Sequence, residues 1–231
     1  MKIAWFYSKK RGKQGARCGV MLMIGLMIVS FAAGMVTQRV ITPEPQADAG
    51  LTYVEDIPVM IDYLPEGSRA RPGGTREIKY LVIHETDNES DSAGAAAHNS
   101  FIHQNADAEE GIVSWHYTVD DHEIYHHLPD TEPAYHAGDG LTEGGGNRNG
   151  VGIEMCVNGA GNFEQTLINT EKLCARLLIE YDLKPSKALR KHQDFSGKLC
   201  PSTLIETGRW DEFCAAVEQR YKELKAADSN G

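Results

Sequence analysis

Residues 18–36, CGVMLMIGLMIVSFAAGMV, form a run of 19 positions without a charged side chain. A helix of this length, at about 1.5 Å per residue, nearly crosses the roughly 30 Å hydrocarbon core of a bilayer. The preceding residues 1–17 carry six Lys or Arg and no Asp or Glu, and such basic flanks stay in the cytoplasm. The pattern predicts a basic cytoplasmic segment at 1–17 and a transmembrane anchor, or a cleaved signal, at 18–36.

This anchor predicts a location for the rest of the chain and a charge for its surface. The expected location is the cell membrane, single-pass, with the folded domain outside the cytoplasm, or secretion if the segment is cleaved; the membrane is then a partner through the helix. The net charge is −10, and subtracting the +6 of residues 1–17 leaves −16 for residues 18–231. An acidic surface offers phosphates no basic face, so we expect no nucleic-acid partner. We expect a monomer.

Beyond the anchor the composition changes twice. Residues 37–57 mix Pro, Gly and acids without periodicity and are typical of a linker, whereas residues 58–225 show the patterns of a folded domain, and residues 226–231 are expected to form a disordered tail. Two short apolar runs predict buried strands, KYLVI (79–83) and VGIEMCV (151–157). The segments SWHYTV and EIYHHL, on either side of DDH, predict a hairpin. Helical spacing favours helices at 91–104, 166–181 and 209–224. The fold class is therefore α/β, a mixed central sheet flanked by helices.

The segment KHQDFSGKLCP, residues 191–201, brings an imidazole, an ammonium group and a thiol close together in the chain. His192 and Cys200 are residue types that bind zinc, and Gly197 between them allows the loop to turn both toward one ion. Coordination would also protect a reduced thiol outside the cell. A surface histidine beside a buried cysteine would give the same pattern, so the pair alone does not establish a metal site.

Four segments in order resemble zinc-dependent N-acetylmuramoyl-L-alanine amidases of the phage-lysin and peptidoglycan-recognition-protein type. They are LVIHET (81–86), SWHYTVDDHEIYHHLPDTEPAYHAG (114–138), GNRNGVGIEMC (146–156) and HQDFSGKLCP (192–201). The resemblance implies that residues 58–225 are an amidase catalytic domain. It implies a reaction on peptidoglycan, the cleavage of the amide between N-acetylmuramic acid and L-alanine of the stem peptide, in cell-wall turnover or lysis.

The same resemblance assigns roles to residues. It implies a Zn²⁺ cofactor held by His84, His192 and Cys200, with Glu154 as general base and Lys198 stabilising the transition state. Simple physical chemistry agrees, because a carboxylate in an apolar strand is expensive to bury without a partner. Lys198, two positions before Cys200, leaves an extended segment on the same side as the ligand.

Further residues are candidates for substrate contact. Relatives carry a tyrosine with a proposed catalytic role where this chain has Trp115, and an indole cannot act as an acid or base. Trp115 is retained as a substrate-binding candidate together with His116 and His136, for which a structural role is equally compatible. The stretch GLTEGGGNRNG (140–150) is too glycine-rich for regular structure and predicts a mobile loop, with Asn147 and Arg148 available to peptide carboxylates.

Two other classes of function stay open at this point. Some members of the family bind wall fragments without cutting them, so the chain could be a non-catalytic peptidoglycan-binding module. Cys156 shares a strand face with Glu154 and could be the nucleophile of a thiol hydrolase, although no oriented histidine accompanies it in the sequence. Cys174 and Cys214 occupy apolar helical positions and are expected in the core.

Overall fold

The computed structural model describes residues 53–228 of the chain. In this range seven strands form one sheet in the order β1-β2-β5-β4-β6-β3-β7. The strands are β1 Tyr53–Val54, β2 Ile57–Ile61, β3 Tyr80–Glu85, β4 Tyr117–Val119, β5 Ile124–His126, β6 Gly150–Met155 and β7 Leu189–Lys191. Pairs β1/β2 and β4/β5 are antiparallel and the other four pairs are parallel, so the sheet is mixed, as predicted.

The centre of the sheet is the parallel pair β3 and β6. Both strands are short apolar runs buried on both faces, the pattern expected of a strand covered by other layers. Their register pairs His84 with Glu154, and on the other side of β6 Glu154 pairs with Thr118 of β4. Register partners point to the same face, so these three side chains lie in a row across the sheet.

Helices cover both faces of the sheet. They are α1 Ala95–Gln104, α2 Gly146–Asn149, α3 Phe163–Glu180, α4 Pro185–Ala188, α5 Gln193–Ser196, α6 Ser202–Glu206 and α7 Trp210–Asp228. The larger core cluster joins α3 and α7 to alternate strand residues such as Ile83, Tyr117 and Ile153. The intervening residues, including His84, must face the opposite side, where α1 packs against β4 and β5.

Most of the elements predicted from the sequence are present in the structure. The hairpin is confirmed, since β4 and β5 pair antiparallel across the DDH turn, and the predicted helices correspond to α1, α3 and α7. β1 lies inside the stretch predicted as a linker, and α7 continues to Asp228, past the predicted domain end. The prediction that 140–150 lacks regular structure is wrong for α2, because Asp139 accepts hydrogen bonds from the backbone N–H groups of Gly146 and Asn147 and thereby caps this helix.

The predicted single-pass membrane location is contradicted. Within residues 53–228, no helix combines the length and the apolar character that crossing a bilayer requires. The longest helices, α3 and α7, carry charged side chains such as Glu171 and Lys172 along their length and bury only one side against the core. The predicted basic segment, the predicted anchor at 18–36 and residues 37–52 of the predicted linker lie outside the described residues.

Candidate metal centre

Three elements bring the predicted ligands His84, His192 and Cys200 to one place. His84 stands near the carboxyl end of β3, and His192 directly follows the neighbouring parallel strand β7. The backbone N–H of His192 donates to the carbonyl of Ile83, which fixes the two histidines side by side. Cys200 precedes α6. All three side chains are buried.

The spacing of the donor atoms fits one tetrahedral ion. Nδ1 of His84 lies 3.0 Å from Nδ1 of His192 and 3.9 Å from Sγ of Cys200, and one donor atom from each residue lies within 4.8 Å of the others. Zinc bonds of about 2.0–2.1 Å to nitrogen and 2.3 Å to sulfur place tetrahedral ligands about 3.3–3.6 Å apart. Two imidazoles and a thiol are a donor set that zinc accepts, so these residues could hold the ion.

The imidazoles are in the state that a metal requires. Burial, strengthened by the charges of the neighbouring histidines and Lys198, lowers the pKa of His84 well below its ordinary value, and burial also lowers the pKa of His192. Both rings are therefore neutral near pH 7 and have a lone pair to offer. Burial raises the pKa of the Cys200 thiol to about 12. The thiol must lose this proton to bind an ion, so metal binding and deprotonation are coupled.

Glu85 anchors the segment that carries Cys200. Its backbone N–H points at Cys200 Sγ at 3.4 Å, and its buried carboxylate accepts hydrogen bonds from Ser202 Oγ (3.0 Å) and the Thr203 N–H (2.9 Å). The carboxylate therefore caps the first turn of α6, immediately after the cysteine. Sequence analysis did not single out Glu85. Its only signal was a carboxylate at the end of an otherwise apolar strand, beside His84.

Glu154 faces the donor cluster. Its Oε1 lies 3.8 Å from Nδ1 of His84, and its Oε2 is one of four buried side-chain atoms in residues 53–228 that lack a hydrogen-bond partner. Burial raises the pKa of Glu154 to about 8, although the charge of Lys198 opposes the shift. A largely enclosed carboxylate with one unpartnered oxygen and a raised pKa suits a general base.

Lys198 lies at the mouth of the site and pairs with a residue that sequence analysis missed. Its Nζ is 2.9 Å from Asp87 Oδ2, and both side chains are about half exposed. Asp87 has a left-handed backbone with φ of 52°. Asp and Asn tolerate this conformation better than other non-glycine residues, which allows the chain to turn sharply just after β3.

A cleft of about 380 Å³ opens beside Glu154. Its walls include Lys198, Asp87, Trp115, Phe101 of α1 and polar side chains of the loop after β3. Trp115 is largely buried, and its indole N–H donates to Thr118 Oγ1 at 2.7 Å, which anchors the ring. Of the five substrate-contact candidates, Trp115 is the one that the structure places in this cleft.

The other four candidates lie elsewhere. His116 is fully buried: its Nδ1 accepts from the Gly152 N–H, and its Nε2 contacts the Glu132 carbonyl at 2.9 Å. The buried His136 contacts His84. Asn147 is buried as well, and its Oδ1 accepts from the backbone N–H groups of residues 136 and 137. Arg148 pairs with Glu143 at 2.9 Å. These contacts engage His116, His136 and the side-chain oxygen of Asn147 inside the domain and pair Arg148 with Glu143. Substrate contact by these four residues stays a prediction.

Cys156 has the environment of a core residue. Its Sγ lies 3.8 Å from Nδ1 of His98, but the thiol is 1% exposed, and burial raises its pKa far above the ordinary value. A thiol nucleophile acts as its thiolate, which this site disfavours strongly. Cys174 is likewise buried and Cys214 packs against the larger core cluster, as the helical spacing predicted.

Comparisons with known proteins agree with this geometry. The chain is 40% identical over 159 residues to N-acetylmuramoyl-L-alanine amidase XlyA of Bacillus subtilis and 38% identical over 156 residues to N-acetylmuramoyl-L-alanine amidase CwlH of the same organism. These matches cover 69% and 68% of this chain, which spans 50% of XlyA and 59% of CwlH. A solved structure of the catalytic domain of XlyA superimposes with a TM-score of 0.63 at 37% identity, covering 70% of this chain and 99% of that domain.

The family model for N-acetylmuramoyl-L-alanine amidases matches residues 74–203. This stretch is more than half of the 231 residues and contains the three donor residues, Glu154 and Lys198. The resemblance that the four sequence segments indicated is confirmed. The chain belongs to the N-acetylmuramoyl-L-alanine amidase family.

Proposed function

We propose that this chain is a zinc-dependent hydrolase that cleaves the amide between N-acetylmuramic acid and the L-alanine of peptidoglycan stem peptides, in cell-wall turnover or lysis. The observation that carries the proposal is the convergence of three zinc-type donors, on His84, His192 and Cys200, beside the carboxylate of Glu154, whose Oε2 has no hydrogen-bond partner. The names of XlyA and CwlH support the reaction. These four side chains come from three separate segments of the chain, so a structural coincidence is a poor explanation.

Zinc has two chemical roles in the proposed reaction. When it is bound, zinc supplies a Lewis acid that polarises the scissile carbonyl and lowers the pKa of an activated water toward about 7. His84 and His192 would hold it as neutral ligands and Cys200 as a thiolate. The single negative charge of this ligand set leaves the ion with net positive charge, which favours that Lewis acidity.

Glu154 carries the proton through the reaction. Its carboxylate accepts a proton from the attacking water and returns it to the nitrogen of the leaving L-alanine, which departs as an amine. A pKa raised to about 8 by burial brings the protonated and ionised forms close in energy near neutral pH. A raised pKa lowers the free-energy cost of holding the proton between the two transfers, as a residue that serves first as base and then as acid requires.

Lys198 stabilises the charge that develops on the carbonyl oxygen. Its ammonium group is held at the mouth of the cleft by Asp87, and both side chains are about half exposed. Lys198 can therefore turn toward the substrate while water solvates the carboxylate of Asp87. Trp115 and Phe101 supply apolar surface in the cleft wall, against which the substrate can pack.

The test uses the full chain, zinc and a defined muramoyl-peptide, and it measures release of the L-alanine amino group together with bound zinc per chain. Glu154→Gln is expected to keep zinc and lose about 10²–10⁴-fold in kcat, whereas Cys200→Ser is expected to lose zinc and activity together. Glu164→Gln, a change of an exposed carboxylate on α3, is the matched control and should leave both quantities unchanged.

Three experimental outcomes would each contradict a different part of the proposal. A Glu154→Gln rate within about threefold of wild type, less than about 0.7 kcal/mol in the barrier, would remove Glu154 as the base. A zinc-loaded chain that binds the muramoyl-peptide but does not cut it would make the protein a peptidoglycan-binding module. Activity that survives complete chelation of the metal would contradict the zinc mechanism. The expectations of a monomer without a nucleic-acid partner stay predictions.

A further inference from the structure

His136 contacts the proposed ligand His84 and is not among the residues that line the cleft. Its Nδ1 is 3.1 Å from Nε2 of His84, and its Nε2 is 3.2 Å from the carbonyl oxygen of Gly150. The two rings meet edge to face, with centroids 5.1 Å apart and planes at 88°. His136 is buried, so its nitrogens have these protein partners rather than solvent.

The directions of the hydrogen bonds that link His84, His136 and Gly150 follow from the Gly150 carbonyl. A carbonyl oxygen can only accept, so Nε2 of His136 carries a proton and donates it to Gly150. The nitrogens of His136 contact His84 and the Gly150 carbonyl rather than a carboxylate, and the ring is buried, so a positive charge on it would be costly. A neutral ring with its proton on Nε2 leaves Nδ1 as an acceptor. Nε2 of His84 must then be the donor to His136. The proton of His84 is thereby confined to Nε2, and the lone pair is left on Nδ1, the atom that faces His192 and Cys200.

The surroundings of His136 fix its ring in this position. Its backbone N–H donates to Oδ1 of Asn147 at 2.6 Å, which explains why that amide is buried. Gly152 leaves room for the ring, because a Cβ at this position would lie 2.7 Å from Cδ2 and Cγ of His136. His116 packs on it edge to face at 5.9 Å. A ring held by its backbone, both of its nitrogens and two neighbours has a single orientation to impose on His84.

We propose that His136 is a positioning residue that sets the tautomer and ring plane of His84, so that Nδ1 of His84 is prepared to bind the metal. This inference rests on the proposed zinc function but concerns residues behind the ligands rather than the reaction. It replaces the sequence-based role of His136 as a substrate contact. Gly150, Gly152 and Asn147 then serve the metal site through His136, although none of them touches a ligand.

The first test measures zinc affinity rather than activity. The zinc dissociation constant of the full chain is determined by competition with a chromophoric chelator for wild type, His136→Leu and His136→Asn. His136→Leu removes the acceptor and is expected to raise the dissociation constant about 10–100-fold. His136→Asn keeps an acceptor on Cγ, at the place of Nδ1, and should recover part of the lost affinity. His126→Phe removes another buried imidazole, far from the ligands in the Tyr117 and Asp130 network, and should bind zinc as wild type does.

The second test needs no variant and therefore does not depend on folding of His136→Leu. Nitrogen-15 NMR of the zinc-free wild-type chain is expected to show the His84 proton on Nε2. A His84 proton on Nδ1, or a folded His136→Leu variant whose zinc dissociation constant is within threefold of wild type, would overturn the inference. A wild-type chain that binds no zinc would instead overturn the proposed function, and this inference with it.

Discussion

Replacement of Glu85 tests how much the segment carrying Cys200 depends on a buried carboxylate. Glu85 is 3% exposed and accepts hydrogen bonds from Ser202 Oγ at 3.0 Å, the Thr203 N–H at 2.9 Å and the Leu204 N–H at 3.4 Å. A hydrogen bond to a charged group contributes about 1.5–3 kcal/mol. The Ser202 hydroxyl can turn to solvent and the Leu204 bond is long, so Thr203 dominates. Glu85→Ala should therefore lower the free energy of unfolding by about 3 kcal/mol.

The assay is urea denaturation of the zinc-free chain, with Glu164→Ala as the matched control. Glu164 accepts two hydrogen bonds of 2.7 Å from Arg209, but its side chain is 66% exposed. Exposed pairs of this kind contribute about 0.2–1 kcal/mol. The same chemical change should therefore have a several-fold smaller effect at position 164. Glu85→Gln keeps one acceptor oxygen, so its loss of unfolding free energy should lie between those of Glu85→Ala and Glu164→Ala.

The reasoning would be refuted by a small effect at the buried site. If Glu85→Ala lowered the free energy of unfolding by less than about 1 kcal/mol, or by no more than Glu164→Ala, the carboxylate would not be holding α6. A second readout is zinc affinity, which should fall with Glu85→Ala because Cys200 loses its anchored position. It should not change with Glu164→Ala.

Three other predictions follow from single contacts. Gly152→Ala should destabilise the chain by about 1–3 kcal/mol in urea denaturation and weaken zinc binding, since the new Cβ would lie 2.7 Å from the His136 ring; unchanged stability would contradict this close approach. Asp87→Val should lower the melting temperature through its φ of 52°, whereas Asp87→Asn should not, because Asn adopts this conformation readily. Asp130 is buried, and although burial alone would raise its pKa, the charge of His126 and the surrounding hydrogen bonds hold that pKa below the ordinary 3.8. Its contribution to stability is therefore present above about pH 4 and lost as the pH falls through the lowered pKa, so the urea midpoint should fall more steeply in acid for wild type than for Asp130→Asn.

The three proposed metal ligands could be picked out in the sequence because their residue types bind zinc and because the segments that carry them resemble known amidases. His84 ends an apolar strand, and His192 and Cys200 share a short loop within a segment that resembles known amidases. Parallel pairing of β3 with β7 brings residues more than a hundred positions apart to one end of the sheet. The sequence alone could not demonstrate this pairing.

The roles of Asn147, His136 and Glu85 could not be predicted, since each depends on burial. A polar residue in a glycine-rich stretch is usually exposed, whereas Asn147 lies in the short helix α2, which Asp139 caps, and is buried. The importance of Gly152 depends on a ring that belongs to another segment. Asp87 gave no local signal, because its left-handed backbone and its pairing with Lys198 are both properties of the folded chain.

The alternation of side chains along β3 and β6 separates the domain into two layers that can change independently. Ile83 and Ile153 point into the apolar layer beneath α3 and α7, while their neighbours His84 and Glu154 point to the reactive side. Protein engineers could therefore direct volume-conserving substitutions for thermal robustness to the apolar layer without replacing any side chain of the reactive layer.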